Sequence, residues 1–261
     1  MLGDIASLWR HPVKGLTPEP LDQAELSAGL CFPNDRRWAV EVGPSGFDPA
    51  SPAHISKMRF AVLARFPELA RVRTRLDDAT QMLHVGDAAG FGVEVSMASG
   101  EGRAALARFL QAFLGSEVEA RLNVLEAPGS HRFMDSKSGF VSAINLASVR
   151  DLEAKIGQPV DPLRFRANIY YEGAAPWSED RLAAGEEVRI GDARLVQLKP
   201  IERCIATHVH PDTGERDIDM LSELRSHYGR ITLGDYFRVE TGGVIARQSP
   251  ARVAAGSSRL D

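Results

Sequence analysis

The chain has 261 residues, of which 44% are apolar and 25% charged, with a formal net charge of −4. That mixture supports a core of normal size and excludes extensive disorder. The acidic balance argues against a general nucleic-acid binder, which carries a basic excess. The length suits two modest domains or one large β or α/β unit. No apolar run approaches the roughly 18 residues of a membrane span. The opening Met1-Leu2-Gly3-Asp4 lacks the basic-then-apolar order of a secretory signal. Two cysteines, Cys31 and Cys204, are too few for a disulfide scaffold, so the reducing cytoplasm is the expected location.

The first part of the chain reads as short strands with punctuation. Ile5 to His11 is an expected strand halted by Pro12, and Leu16 to Glu25, with two prolines, is a loop with at most an edge strand. Trp38 to Val42 is a compact apolar strand ending at Gly43-Pro44, followed by a surface loop over Gly46 to Ala53. Gln81 to Val85 and Phe91 to Met97 form a further pair, joined through the turn Gly86-Asp87-Ala88. The period then changes. Leu106, Phe109, Leu110 and Phe113 fall on one face of a helix over Glu101 to Leu114, with Gly115 as its stop.

After a strand over Val118 to Leu125, Ala127-Pro128-Gly129-Ser130 marks a boundary region. Ser148 is the expected N-cap of a helix over Val149 to Ile156, closed by Gly157 and Pro159. Strands are expected at Ile169 to Glu172, Glu187 to Ile190, Ala193 to Leu198 and Ile205 to Val209. A helix follows near Asp219 to His227, strands resume at Tyr236, and the Ala/Gly/Ser-rich tail after Arg252 frays. Many short strands with few helices point to β-barrels or sandwiches rather than βαβ alternation. Neither GxGxxG after a strand nor GxxxxGK[ST] occurs, which argues against a Rossmann or P-loop enzyme.

Several residues can carry chemistry. His208 and His210 are either strand neighbours sharing a face or ordinary histidines beside the turn Pro211-Asp212-Thr213-Gly214; no further spacing completes a zinc site. Cys204 follows Arg203, whose charge favours a thiolate, so Cys204 is either a reactive or metal-binding thiol or a buried structural one. Cys31, between Leu30 and Phe32, reads as core filler. If Leu163 to Ile169 is a strand, Arg164, Arg166 and Asn168 share a face, either as an anion-binding surface or as a solvated edge. Lys14, in a turn, and Asp35-Arg36-Arg37-Trp38, entering a strand, add further basic positions.

Together these segments resemble the MOSC-domain family, in the two-part arrangement of amidoxime-reducing proteins and their bacterial relatives. The resemblance rests on four segments in order: His11-Pro12-Val13-Lys14-Gly15, Asp35-Arg36-Arg37-Trp38-Ala39-Val40, Phe165-Arg166-Ala167-Asn168-Ile169, and Arg203-Cys204-x-x-Thr207 before Asp212-Thr213-Gly214. It implies a mainly β fold with α insertions: an N-terminal β-barrel domain over residues 1–115, a MOSC β-barrel-like domain over 116–250, and a flexible tail over 251–261. It also implies a molybdenum cofactor. Cys204 would be the metal ligand and, with Asp135, would form the catalytic pair. Lys14, Arg36, Ser136, Arg166, Asn168 and Arg203 would hold the pterin and its phosphate, as forked arginine contacts suit a polyanion.

The activity so implied is reduction of N-hydroxylated or N-oxide compounds. Electrons would come from a separate donor protein, ferredoxin-like or a cytochrome or flavoprotein reductase, since two cysteines cannot build a four-cysteine iron–sulfur cluster. The alternative is a cofactor carrier or sulfur-transfer protein without turnover. Ile201 stands where relatives often have a second cysteine, and His54-Ile55-Ser56-Lys57 differs from the Thr-Ala-Arg-Gln stretch of amidoxime reducers. If Lys14, Arg36 and Cys204 meet one cofactor, the pocket lies between the two domains.

Overall fold

The structure is a computed structural model that describes residues 2–87, 89–136 and 141–253. Ala88 of the expected turn, Lys137-Ser138-Gly139 and the tail beyond residue 253 lie outside the described residues. The first strands are β1 (Gly3–Arg10), β2 (Val13–Lys14), β3 (Glu19–Leu21), β4 (Gln23–Leu26) and β5 (Trp38–Val42). Next come β6 (Arg73–Leu76), β7 (Met82–Gly86), β8 (Gly92–Ser96), α1 (Gly100–Leu114) and β9 (Leu122–Glu126). The second half holds β10 (Val141–Asn145), α2 (Leu146–Ile156), β11 (Ile169–Glu172), β12 (Glu187–Ile190) and β13 (Ala193–Glu202). It ends with α3 (Met220–Tyr228), β14 (Thr232–Thr241), β15 (Gly243–Ala246) and β16 (Pro250–Val253).

The fold is mainly β, and its centre is a closed seven-stranded barrel in the order β11-β10-β14-β13-β12-β16-β1, with β1 returning to β11. Only β10 and β11 run parallel within it. Ile5, Leu8, Val141, Ile169, Leu195, Phe237 and Val239 fill one core cluster. Closure leaves no open edge on these strands. The chain crosses the division expected at residue 115 in both directions. β1 is a stave of the barrel built otherwise from residues 141–253: it pairs with β11 and with β16, and Ile5 and Leu8, separated by a register shift, enter the barrel core. In turn β9, past residue 115, pairs with β5 of the first half. Residues 251–253, expected in the tail, belong to β16 and pair with β1 and β12.

The first half packs β2-β5-β9 and β6-β7-β8 around α1. Ser99 caps α1 by accepting from the Gly102 N–H at 3.0 Å, and Gly115 ends it with φ +54°. Leu106, Leu110 and Leu114 form its buried stripe. Each such leucine contributes roughly 1.5–3 kcal/mol by leaving water. Among the described residues no helix is long and apolar enough to cross a membrane.

Three expected elements differ. Asn145, not Ser148, caps α2, accepting from the Ala147 N–H at 3.0 Å, so the helix begins earlier. Ser148 instead donates to the buried Glu179 carboxylate at 2.6 Å. The segment Leu163 to Ile169 is not a strand: Pro162–Phe165 is a 3-10 turn and Arg166 follows in the left-handed region at φ +53°. Ile205–His208 is likewise a 3-10 helix, because Thr207 turns back on Cys204, its N–H and hydroxyl both donating to the Cys204 carbonyl at 2.9 and 2.8 Å.

Candidate functional site

A cavity of about 710 Å³ lies where the two halves meet, and Lys14, Arg36, Asp135, Ser136, Arg166, Arg203 and Cys204 all line it. The short strand β2 carries Lys14. Gly15, which follows, has φ +90°, and a Cβ there would come within 2.0 Å of the Ala61 carbonyl oxygen, so only glycine lets this turn sit against residue 61. Lys14 is 3% exposed; its Nζ donates to the Phe133 carbonyl at 2.9 Å and pairs with Asp135. Burial lowers the Lys14 ammonium, with Asp135 acting against that.

Arg36 enters β5 from a backbone at φ +48°, its N–H bonded to the His11 carbonyl at 2.6 Å. Its guanidinium pairs with Asp35 and donates through Nη2 to the Arg166 carbonyl at 2.9 Å. Asp35 is wholly buried and also accepts from the His11 N–H at 2.7 Å. Burial alone would raise the Asp35 carboxyl; the Arg36 charge and the His11 hydrogen bonds outweigh it and hold Asp35 well below the usual carboxylate range. Burial, followed by Arg36 and Arg166, pushes the His11 imidazole down to about 3, so it stays neutral. Arg166 donates through Nη2 to the Leu16 carbonyl at 2.7 Å, tying the second half to the first. Burial and the facing Arg36 lower the Arg166 guanidinium to about 10. Left-handed backbone at a residue other than glycine costs on the order of 1–3 kcal/mol, and here both arginines that face one another adopt it.

Cys204 is the N-cap residue of the 3-10 helix after β13, half-buried, with its carbonyl held by Thr207. Arg203 anchors this bend: its Nε donates to the Leu233 carbonyl at 2.8 Å and its Nη1 to the Phe165 carbonyl at 2.8 Å. Its guanidinium thus joins β13, β14 and the turn before Arg166. Burial lowers it to about 10. Asp135 sits between Lys14 and Lys57, with the Lys57 Nζ at 3.7 Å. Partial burial would raise its carboxyl; the two ammonium groups prevail and hold it well below the usual range.

Other expected residues lie elsewhere. Asn168 does not line the cavity. Its Oδ1 accepts from the Ser142 N–H and hydroxyl at 3.1 and 2.9 Å, and its Nδ2 donates to the Trp9 carbonyl at 3.3 Å, so it fastens β10 to β1. Arg164 reaches the wall but is committed to Asp217 at 2.6 and 2.8 Å. Arg164, Arg166 and Asn168 therefore do not share one face. His208 closes the 3-10 helix with its Nε2 3.4 Å from Asp219, and His210 Nδ1 accepts from the Asp212 N–H at 3.2 Å, so the pair is divided between a helix end and a turn. Cys31 is half-buried and lines a smaller neighbouring cavity rather than filling the core; burial pushes its thiol up to about 11.

Lys57 is the participant that the sequence reading left out. It begins a short 3-10 helix capped by the Ser56 hydroxyl, stands 3.7 Å from Asp135 and lines the cavity with Cys204; although partial burial lowers it, Asp135 and then Cys204 raise its ammonium overall. The only signal for it was the departure at His54-Ile55-Ser56-Lys57.

Among the described residues no group of three or more His, Cys, Asp or Glu side chains could hold a metal ion. A metal bound at Cys204 would have to bring its remaining ligands with it. The cationic walls suit the anionic part of such a group, and the thiol of Cys204 suits its metal.

Residues 2–119 match the family model of the MOSC N-terminal beta barrel domain, and residues 130–256 that of the MOSC domain. The chain belongs to the MOSC-domain family. The cavity of this MOSC chain takes Lys14, Arg36 and Lys57 from the first matched span and Asp135, Arg166, Arg203 and Cys204 from the second. The chain is 26% identical to mitochondrial amidoxime-reducing component 1 of Homo sapiens, over 95% of this chain and 82% of that protein. It is 34% identical to the Mus musculus protein of the same name, over 40% of this chain and 33% of that one. It is 29% identical to molybdenum cofactor sulfurase of Oryza sativa subsp. japonica, over 40% of this chain and 14% of that protein.

Proposed function

We propose that this MOSC protein binds a molybdenum cofactor and uses it to reduce N-hydroxylated or N-oxide compounds. The observation that carries the reading is the single thiol of Cys204 at one cavity shared with Lys14, Arg36 and Arg166. The relatives named as an amidoxime-reducing component and a molybdenum cofactor sulfurase support it. When bound, the cofactor supplies two-electron redox chemistry at a metal with an open position; orientation and charge are the protein's contribution.

Cys204 Sγ is the thiolate donor, with the Lys57 ammonium beside it. Arg36 and Arg166 would hold the cofactor's phosphate, and their backbones, set in advance by their own hydrogen bonds, would lower the entropy lost on binding. Lys14 Nζ and Lys57 Nζ hold the Asp135 carboxylate ionised, so it accepts rather than donates hydrogen bonds at the substrate side. Electrons come from a separate donor protein. Exposed Met58 and Ile205 flank Lys57 and Cys204, and the guanidinium groups of Arg65 and Arg216 donate to the carbonyls of Met58, at 2.9 Å, and Ala64, at 2.9 Å. An apolar centre framed by positive charge suits an acidic partner bound transiently.

The test is molybdenum content of protein from a molybdenum-replete host, alongside reduction of benzamidoxime with a supplied electron donor. Near-stoichiometric metal in the wild type, little in Cys204→Ser, and turnover only in the wild type are expected. The sulfurase relative favours one alternative, a carrier or sulfur-transfer role. Metal retention without turnover would establish that role, and no metal in either protein would reject both readings.

A further inference from the structure

The smaller cavity, about 390 Å³, meets the larger one along Lys14, His54, Met134 and Ser136. One wall is aromatic: Phe60 and Phe133 meet edge-on with centroids 5.5 Å apart, and the His131 ring stands perpendicular to Phe133 at 5.7 Å. Phe47 packs behind Phe133 at 4.9 Å and fixes its ring. A planar ring inserted here finds flat and edge-on partners at the separations aromatic pairs prefer.

The polar part of the lining is one-sided. Among the described residues no Asp or Glu side chain lines this cavity, and the ammonium of Lys14 is already paired with Asp135. The Cys31 thiol, raised to about 11 by burial, is neutral, and burial followed by Arg132 and His54 lowers the His131 imidazole. What remains is Arg132. Its Nη1 donates to the Gly129 and His131 carbonyls at 2.9 and 2.5 Å, its buried Nε has no hydrogen-bond partner, and among the described residues no carboxylate pairs with it within 4 Å, Asp35 acting on it only at longer range. A half-buried guanidinium that no carboxylate pairs with directly can take an anion from outside.

We propose that this cavity is the substrate subsite of the reductase proposed above, and that it selects planar aromatic molecules bearing a carboxylate. The ring lies against Phe60 and Phe133, and the carboxylate accepts from Arg132. A molecule so placed adjoins the shared wall, with the cavity of Cys204 on its other side. The volume accommodates a substituted single ring. The substrate class rests on the proposed function; the binding of an aromatic anion does not.

The probes are benzoate and its neutral counterpart benzamide, with affinities measured by calorimetry on wild type and Arg132→Gln. Occupancy is located by alkylation of Cys31 at pH 9 in Cys204→Ser protein, where Cys31 is the remaining thiol. Benzoate is expected to bind at least tenfold more tightly to the wild type than to Arg132→Gln, benzamide equally to both, and benzoate is expected to slow Cys31 alkylation several-fold. Circular dichroism and molybdenum content should match between wild type and Arg132→Gln. Benzoate affinity indifferent to Arg132→Gln, or no protection of Cys31, would overturn the proposal. Protection of Cys31 in a protein that never takes up molybdenum would reject the reductase reading while leaving the aromatic-anion site in place.

Discussion

The Arg36 guanidinium donates to the backbone carbonyl of Arg166 at 2.9 Å, and both residues hold left-handed backbone angles, φ +48° and +53°. Two side chains of like charge are thereby set against one cavity by strain and by hydrogen bonds to carbonyls. Among the described residues only Arg36 of the two is paired with a carboxylate, that of Asp35.

That asymmetry separates two substitutions. Arg36→Gln leaves the wholly buried Asp35 carboxylate without its ion partner, and breaking a buried pair from one side costs about 3–5 kcal/mol. Arg166→Gly relieves a left-handed backbone and removes a guanidinium that burial disfavours. It removes the hydrogen bond to the buried Leu16 carbonyl, a loss of about 1–3 kcal/mol, so it should cost less stability than Arg36→Gln and still abolish molybdenum retention. Urea titrations beside metal analysis check both; equal stability loss in the two variants would contradict the asymmetry.

Gly15→Ala should be severe. Its Cβ would lie 2.0 Å from the Ala61 carbonyl oxygen, so either the Lys14 turn or the residue 61 backbone must move. A loss of several kcal/mol is expected, as for other residues forced into an incompatible backbone. A fall in Tm of only a degree or two would mean that the turn is more adaptable than its packing implies.

Asp235 predicts a pH dependence. It is 4% exposed, accepts from Gln197 Nε2 at 2.8 Å, and burial raises its carboxyl from 3.8 to about 6. The folded chain therefore holds a proton that the unfolded chain gives up between about pH 4 and 6, so this residue's contribution declines as pH rises through that window and is flat above it. Asp235→Asn keeps the acceptor and removes the penalty. It should stabilise the protein at pH 8 by on the order of 2 kcal/mol and at pH 4 by little. Asp35 and Asp135, held low, act in the opposite sense and weaken the fold only on strong acidification.

Ile205→Glu and Arg216→Glu place negative charge beside the mouth near Cys204. Reduction by an acidic donor protein should slow roughly tenfold or more, with steeper loss at low salt, while molybdenum content is unchanged. Rates with a small chemical reductant should not move. A uniform loss with both reductants would place the effect at the site rather than at docking.

Strands with clear punctuation were legible in the sequence: Trp38–Val42, Ile169–Glu172 and Glu187–Ile190 have the expected bounds, and α1 differs by one residue. The failures share a cause. Ile205 to Val209 is β-branched and apolar, yet one hydroxyl, Thr207 Oγ1, bends it into a 3-10 turn, and that bend is what presents Cys204. Ser148 is a good cap in isolation, but Glu179, thirty-one residues away, claims its hydroxyl. For the candidate site, the family resemblance singled out Cys204, Arg36 and Arg166, and the fold brings all three to one cavity. It could not separate Asn168, whose amide is consumed between strands, or disclose Lys57, whose importance comes only from the approach of a distant loop to Cys204.

The pairing of β1 with both β11 and β16 bears on how the molecule comes into being. A stave made among the first ten residues must wait, on the ribosome, until nearly the last strand has emerged before its second edge is satisfied. Barrel closure is therefore a late event with a long loop to close, and the waiting strand is exposed to mispairing throughout. It also means that the halves are not separable goods. A fragment beginning after α1 would carry Cys204, Arg166 and Asp135 on a barrel missing a stave, open along β11 and β16.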